Sequence, residues 1–156
     1  MTTITVNTAT QDDIGSLVAF VAALFGEDAG RHDSLRDLDW PAREGAGYYS
    51  ALVNDEACLV TLARDGGHIV GHLIGKLSGP GPMLTGRIAV LESMRVAPGS
   101  RRTGVGSLLV RHFLTWARDR GAQQASVTAY AANDAAQRLY ARHGFEPASV
   151  TLRAIL

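Results

Sequence analysis

The stretch Glu92-Ser-Met-Arg-Val-Ala-Pro-Gly-Ser-Arg-Arg-Thr-Gly-Val-Gly-Ser107 decides how the rest of this chain is interpreted. A strand-like apolar run ends in it at Val96-Ala97-Pro98, and the amphipathic pattern of a helix begins in it after Gly104. The turn between them is rich in glycine and arginine. A strand, a basic glycine-rich turn and a helix in this order predict an anion-binding site.

The turn has the chemistry that a bound phosphate requires. The first N–H groups of a helix have no partners inside the helix, and the helix dipole adds partial positive charge at the same end. Gly104 and Gly106 lack a Cβ atom, so a bulky anion can approach the main chain and the turn can reach positive φ. Arg101 and Arg102 add formal charge beside those N–H groups. We therefore interpret the loop as a cradle for a pyrophosphate.

Two familiar phosphate loops do not match this stretch. The nucleotide-hydrolase loop requires Lys and then Ser or Thr after its second glycine, where this chain has Val105 and Gly106. The dinucleotide-binding fingerprint requires a third glycine, where this chain has Leu109. Neither of those nucleotide sites is predicted.

A second motif lies downstream of the first. The loop reads Arg101-x-x-Gly104-x-Gly106, and later the chain reads Asn133-x-x-Ala136-x-x-Leu139-Tyr140-x-x-x-Gly144-Phe145. Each motif alone is weak, because its residue types are common, but the two occur in the same order as in one known family. On these residues the sequence resembles the GNAT superfamily of acyl-CoA-dependent N-acyltransferases.

The resemblance implies a fold and a co-substrate. The fold would be α/β (α+β), with a mixed, mostly antiparallel twisted sheet flanked by helices and two splayed parallel strands, here residues 87–96 and 124–130. The co-substrate would be acetyl-CoA, whose pantetheine arm would lie between those strands. Main-chain groups of Met94, Arg95 and Val96 would bind the arm like an added strand, because extended amide-rich ligands pair with free N–H and C=O groups. The other cofactor-binding residues that the resemblance implies are Arg101, Arg102, Thr103, Gly104, Val105, Gly106, Ser107, Asn133 and Tyr140.

The resemblance also implies a catalytic acid. The reaction is the attack of an amine on a thioester, and the departing thiolate benefits from a proton donor. Tyr140 matches the position at which many relatives carry that acid, and a phenol donates without ionising. The alternative is that Tyr140 is a helix aromatic packed on the core. Asn133 matches the asparagine that contacts pantetheine, and it would equally serve as a helix N-cap.

The general base is expected at Glu92. An alkyl amine must lose a proton before it attacks, so a base or a water relay helps. Val90 occupies the position at which the histone-acetyltransferase branch carries a glutamate, and Glu92 lies two residues further on the same strand face. Polyamine acetyltransferases have an acid at the matching site. Glu92 would act as base or would orient the amine, and the alternative is a salt bridge at the rim. A main-chain donor near Met94 would stabilise charge on the carbonyl oxygen.

Size and charge narrow the range of partners. With 156 residues the chain fits one domain, so residues 1–156 are expected to form a single N-acetyltransferase domain. The 15 acidic and 15 basic side chains balance, and the basic footprint of a nucleic-acid-binding protein is missing. No apolar run approaches the ~20 residues that span a bilayer, and the first residues do not resemble a signal peptide. We expect no nucleic-acid or membrane partner and a cytoplasmic location.

No metal is expected. His68 and His72 would lie in a strand, where four residues span ~13 Å, too far for both to bind one ion.

Apolar periodicity predicts the remaining elements. An Asp-Gly step within residues 64–67 predicts a hairpin. Residues 26–47 have no clear period and are interpreted as a loop or broken helix. The predicted helices cover residues 10–25, 48–53, 105–120 and 133–143. The predicted strands cover residues 4–6, 57–63, 68–77, 87–96 and 124–130, with a last strand or two from residues 145 and 150–156.

The sequence thus predicts an N-acetyltransferase that moves an acetyl group from acetyl-CoA to a primary amine in a ternary complex. The amine would belong to a small molecule or to an amino terminus, and the acidic excess of residues 26–47 slightly favours a small amine. The alternatives are a non-catalytic CoA-binding regulatory module and a protein N-terminal acetyltransferase. A homodimer is a further expectation, because relatives often form dimers.

Overall fold

Five strands and four α-helices make up the computed structural model, which describes residues 3–156 apart from the side chains of residues 28–32. The strands are β1 (Ile4–Thr8), β2 (Cys58–Asp65), β3 (His68–Ser78), β4 (Ile88–Val96) and β5 (Gln124–Val127). The helices are α1 (Ile14–His32), α2 (Trp40–Val53), α3 (Val105–Asp119) and α4 (Asp134–Arg142).

The strands form one sheet in the order β1-β2-β3-β4-β5. Neighbouring strands are antiparallel except β4 and β5, which are parallel because α3 crosses between them. The hairpin between β2 and β3 turns at Gly66 and Gly67, whose φ angles of 57° and 89° suit a two-residue turn. This mixed, mostly antiparallel sheet and its hairpin confirm the predicted fold class.

Each face of the sheet is covered by helices. Alternate residues of β2 divide between two cores: Leu59 packs on the α3 side, while Val60 and Leu62 pack on the side of α1 and α2. On the α3 side, Leu109 and Phe113 are fully buried. The helices therefore fix the sheet from both faces and leave its β4–β5 end available for a site.

The region predicted as a loop or broken helix is more helical than expected. A capping box holds the chain before α1, because the Thr10 N–H donates to Asp13 Oδ2 at 2.8 Å. Helix α1 then continues through His32, and α2 begins at Trp40, with Pro41 in its first turn. The apolar period was hidden because residues 42–44 face solvent.

The predicted C-terminal strand is wrong. Residues 145–156 form neither helix nor strand, and β5 ends at Val127 rather than at residue 130. Val150, Leu152 and Ile155 are at least 83% exposed. Apolar and β-branched residues form a strand only where a neighbouring strand pairs with them, and none does so here among the described residues.

None of the helices described in residues 3–156 is both long enough and apolar enough to cross a membrane.

Candidate active site

The loop between β4 and α3 ends in an exposed helix start. Gly104 is the N-cap of α3 with φ 90°, a conformation that favours glycine. The first hydrogen bond of the helix runs from the Leu108 N–H to the Gly104 carbonyl oxygen at 3.0 Å. The N–H groups of residues 105–107 precede it and donate no hydrogen bond to any residue that the structure describes. They are free to bind an anion, although the Val105 side chain itself is buried.

The basic side chains of the loop differ in their surroundings. Arg101 donates from Nε to the Val96 carbonyl oxygen at 3.0 Å and forms an ion pair with Glu27 on α1. Arg102 is exposed and has a positive φ of 61°. The hydroxyl of Thr103 donates to a carbonyl oxygen of the preceding turn. The loop is therefore fixed by Arg101 and Thr103, while Arg102 faces solvent.

Two small residues bring α3 and α4 together. A Cβ atom on Gly106 would lie 3.1 Å from Leu139 Cδ2, so the glycine permits this close approach. The Ser107 Oγ and His143 Nε2 atoms are 3.1 Å apart. Burial is the main cause of the lowered pKa of His143, and the lowered pKa favours the neutral ring at neutral pH. These contacts position α4, and with it Tyr140, beside the loop.

Strands β4 and β5 separate to form a cleft. Their pairing ends with Leu91 and Val127, while β4 continues to Val96. The cleft has a volume of about 360 Å³. One wall is formed by residues 91–95, and the other by residues 127–130 together with Asn133, Ala136, Leu139 and Tyr140. The splayed arrangement expected for these two strands is present.

A β-bulge positions Glu92 at the point of separation. Ser93 pairs with Ile74 and Leu91 pairs with Gly75, so Glu92 is an extra residue with no partner in β3. Its side chain is exposed, and its carboxylate has no hydrogen bond or ion pair with any described residue. Glu92 is therefore available at the end of the cleft.

Residues 94–96 continue β4 beyond the bulge. The Met94 carbonyl oxygen accepts from Arg95 Nη1 at 2.7 Å, and the Val96 carbonyl oxygen accepts from Arg101. Arg95 Nε is buried and has no acceptor within the described part of the chain. The main chain of this segment thus has carbonyl groups that bind side-chain donors rather than a neighbouring strand.

The second motif supplies the opposite wall. The Asn133 Oδ1 atom accepts from the Ala136 N–H at 3.0 Å, which confirms the predicted N-cap of α4. Tyr140 is half-buried, and its ring lies 5.8 Å from that of Phe145 in a T-shaped contact. Tyr140 therefore packs on the core and also lines the cleft, so its two interpretations are compatible.

A second cavity adjoins the cleft on the face of the sheet that α1 and α2 cover. Its volume is about 610 Å³. Glu92, Ser93 and Arg95 line both spaces, so the two meet at the bulge. The far wall consists of aromatic side chains of α1 and α2, namely Phe25, Trp40, Tyr48 and Tyr49. No sequence-based prediction included this aromatic wall, although the cluster of aromatic residues at 40, 48 and 49 was a usable signal.

A buried histidine supports the junction of the two spaces. His72 on β3 is fully buried, and its Nε2 atom lies 3.2 Å from Ser93 Oγ. Its ring contacts Phe20 edge-on, with centroids 5.8 Å apart. Burial lowers the pKa of His72 to about 3, so the ring is neutral at neutral pH. No sequence pattern indicated the contact, because it depends on how β3 and β4 pair.

Among the described side chains, no three His, Cys, Asp or Glu residues come together as metal ligands would.

Parts of this chain are similar in sequence to known proteins. A sequence model described as the Acetyltransferase (GNAT) family matches residues 28–145. The uncharacterized N-acetyltransferase YedL of Escherichia coli (strain K12) is 44% identical over 57 residues, which is 35% of this chain. The aligned part is 36% of YedL, so the match spans only about a third of that relative.

Solved structures share the fold. A predicted acetyltransferase from Clostridium acetobutylicum, solved with acetyl-CoA, has a TM-score of 0.77 and 16% identity, covering 98% of this chain and 96% of its own. The enzyme AAC(6')-Iy, solved with the bisubstrate analogue CoA-S-monomethyl-acetylneamine, has a TM-score of 0.76 and 14% identity, covering 99% and 98%. Identities this low show the fold alone. The family assignment comes from the sequence model, which covers more than half of the chain and includes the loop, the cleft and both motifs: this chain belongs to the acetyltransferase (GNAT) family.

Proposed function

We propose that this chain transfers an acetyl group from acetyl-CoA to a primary amine by direct attack in a ternary complex. The observation that carries the proposal is the cleft between β4 and β5, which opens at Glu92 and lies beside the uncovered start of α3. Acetyl-CoA is an extended thioester with a diphosphate at one end, and its shape and charge are complementary to this cleft and helix start. It needs a narrow cleft for its arm and N–H donors for its phosphates.

The proposed cofactor contacts follow from the loop and the strand. The pyrophosphate would accept hydrogen bonds from the N–H groups of residues 105–107, and Arg102 would supply nearby charge. The pantetheine amides would pair with main-chain groups of residues 94–96, and Asn133 would face them from the other wall. The carbonyls of Met94 and Val96 already accept from arginine side chains, so the arm would share or replace those donors.

The proposed chemistry uses Glu92, where the cleft meets the aromatic cavity, and Tyr140 on the other wall of the cleft. The amine nitrogen forms a bond to the thioester carbonyl carbon, and the bond from that carbon to sulfur breaks. The amine gives up its proton to Glu92, directly or through water, while Tyr140 donates a proton to the departing sulfur. A main-chain N–H near Met94 would bind the carbonyl oxygen as negative charge develops on it. The products are an N-acetylated amine and CoA.

The acceptor would enter from the aromatic cavity, because that space meets the cleft at Glu92 and Ser93. Its volume of about 610 Å³ suits a small molecule or the end of a peptide. The amine is therefore a small-molecule or peptide amine in this proposal.

Calorimetric titration with acetyl-CoA and a screen of amines, read by release of free thiol, test the proposal together. We expect binding, and thiol release that depends on an added amine. Binding without release from any amine would favour the non-catalytic CoA-binding module. Absence of binding would contradict both.

A further inference from the structure

The acidic residues around the aromatic cavity are mostly neutralised by partners within the chain. Asp37 Oδ2 lies 2.6 Å from Arg43 Nη2, and Asp33 Oδ2 lies 3.8 Å from Arg153 Nη2. In contrast, Glu92 has no such partner among the described residues. The acidic excess of the sequence therefore does not create an acidic cavity that would select a polycation.

The cavity wall instead contains an arginine without a counter-ion. Arg95 is half-buried, its Nε atom is buried without an acceptor, and no carboxylate of the described residues forms an ion pair with it. The only hydrogen bond of its side chain within the described part of the protein is from Nη1 to the Met94 carbonyl. A partly desolvated guanidinium without a counter-ion is costly unless an anion binds its accessible Nη groups.

Two described neighbours of Arg95, Tyr49 and His72, supply no negative charge. Burial raises the pKa of Tyr49 to about 12, and burial lowers the pKa of His72 to about 3. Both side chains are therefore neutral at neutral pH. A second cation, Arg36, lines both the cleft and the cavity, with its guanidinium carbon 5.8 Å from the centre of the Phe25 ring. Among the described side chains, the cavity thus has two cations and one unpaired carboxylate near its junction with the cleft.

The rest of the cavity suits an apolar or aromatic group. The Trp40 ring lies 5.0 Å from that of Tyr48 and 6.2 Å from that of Tyr49, and it stacks on Phe25 at 6.1 Å. These rings form a continuous wall opposite Glu92 and Arg95. Aromatic faces bind flat apolar groups through area burial and ring contacts.

We propose that the acceptor is an α-amino acid with an aromatic or large apolar side chain, whose carboxylate binds Arg95 and whose amine lies at Glu92. This inference rests on the proposed acetyl transfer and names its substrate class. Glu92 and Arg95 are three positions apart in β4, or ~10 Å along a strand, a span that their long side chains can close. A planar guanidinium binds a carboxylate through two parallel hydrogen bonds, which fixes the direction of the adjacent amine. The carboxylate itself takes no part in bond making, and the product is the N-acetyl amino acid.

The test compares each amino acid with the amine that lacks its carboxylate. Thiol release is measured as kcat/KM for phenylalanine against phenethylamine, for leucine against isoamylamine, and for spermidine as a polycation. We expect the wild type to prefer the amino acid in both pairs.

Arg95→Gln should lower kcat/KM for phenylalanine roughly 10- to 100-fold, the range for a hydrogen-bonded charge. The same variant should lower the ratio of kcat/KM for phenylalanine to that for phenethylamine by a similar factor, whatever it does to the rate with phenethylamine, and Arg95→Lys should recover part of that ratio. Because each ratio is compared between variants, different basicities of the amines cancel.

Thermal unfolding shows whether the Arg95 variants fold. The wild-type preference, with each kcat/KM corrected for the fraction of neutral amine, tests the inference even where a variant does not fold. Equal rates for the paired compounds, or a preference for phenethylamine or spermidine, would overturn the amino-acid inference and leave the acetyltransferase proposal standing. Bound acetyl-CoA with no release from these compounds would overturn the amino-acid inference, and only silence across the wider screen of amines would overturn both.

Discussion

The Nε2 atom of His72 lies 3.2 Å from the Oγ atom of Ser93, and this contact joins the buried part of β3 to the point where cleft and cavity meet. Ser93 is the residue that follows the bulge and lines both spaces, while its partner His72 is fully buried. A neutral, fully buried imidazole is a fixed hydrogen-bonding partner at neutral pH. It holds the hydroxyl in one place without adding charge.

The burial of His72 makes stability depend on pH. Its pKa is about 3 in the folded chain and 6.5 in the absence of burial, so between these values only the unfolded chain binds the proton. The free energy of unfolding should therefore decrease as the pH falls below 6.5. Between pH 7 and pH 5 this contribution is about 2 kcal/mol.

In His72→Gln the decrease in the free energy of unfolding between pH 7 and pH 5 should be smaller by about that amount, measured by urea unfolding at both pH values. His112 and His143, whose pKa values burial also lowers, remain in both proteins. Identical decreases would show that His72 is not buried in its neutral form.

The replacement Tyr140→Phe tests the proposed acid. Removing the hydroxyl leaves the ring and its 5.8 Å contact with Phe145, so folding and acetyl-CoA affinity should change little. The rate should fall roughly 100-fold, as is common when a general acid is lost. Tyr130→Phe, on the same wall of the cleft, is the matched control. Full activity in Tyr140→Phe together with loss in Tyr130→Phe would assign the acid to Tyr130.

The parts of the site that could be predicted are those that depend only on residues adjacent to one another in the sequence. Gly104 at positive φ, the start of α3 and the Asn133 cap are local features, and each was readable from a few adjacent side chains. The bulge at Glu92 depends on how Ser93 pairs with Ile74, so no local pattern reveals it.

The aromatic cavity and the missing last strand also could not be predicted from local sequence patterns. Trp40 lies beside Phe25 only because α1 and α2 pack together, and that packing joins residues that are far apart in the chain. The C-terminal residues have strand-like composition, yet a strand also requires an edge to pair with. Both features are decided by tertiary contacts that composition does not specify.

Glu92→Gln tests the proposed base. An amide has the shape of the carboxylate but cannot accept the amine proton, so kcat/KM should fall at least about 10-fold near neutral pH. The decline in rate at acidic pH that comes from protonating the base should disappear, as measured by a pH profile of thiol release. Glu146→Gln, an exposed glutamate beyond α4, is the control for loss of one charge. An unchanged acidic limb in Glu92→Gln would mean that water or another group removes the proton.

Gly104→Glu tests the phosphate cradle, and Gly99→Glu provides the matched control. A Cβ atom at either position would meet no atom within 4 Å, and both glycines are exposed in the same loop. Only Gly104 precedes the uncovered N–H groups of residues 105–107, and only it has a positive φ of the two. A carboxylate at 104 should repel the pyrophosphate and occupy its donors, raising the Kd for acetyl-CoA by at least about 100-fold.

The strained φ of a glutamate at position 104 should also lower stability by about 1–2 kcal/mol, too little to unfold a typical domain. Calorimetry gives the Kd, and thermal unfolding shows that the variant is folded. Equal affinities in a folded Gly104→Glu and a folded Gly99→Glu would place the phosphates away from the start of α3, because the two variants add the same charge to the same loop.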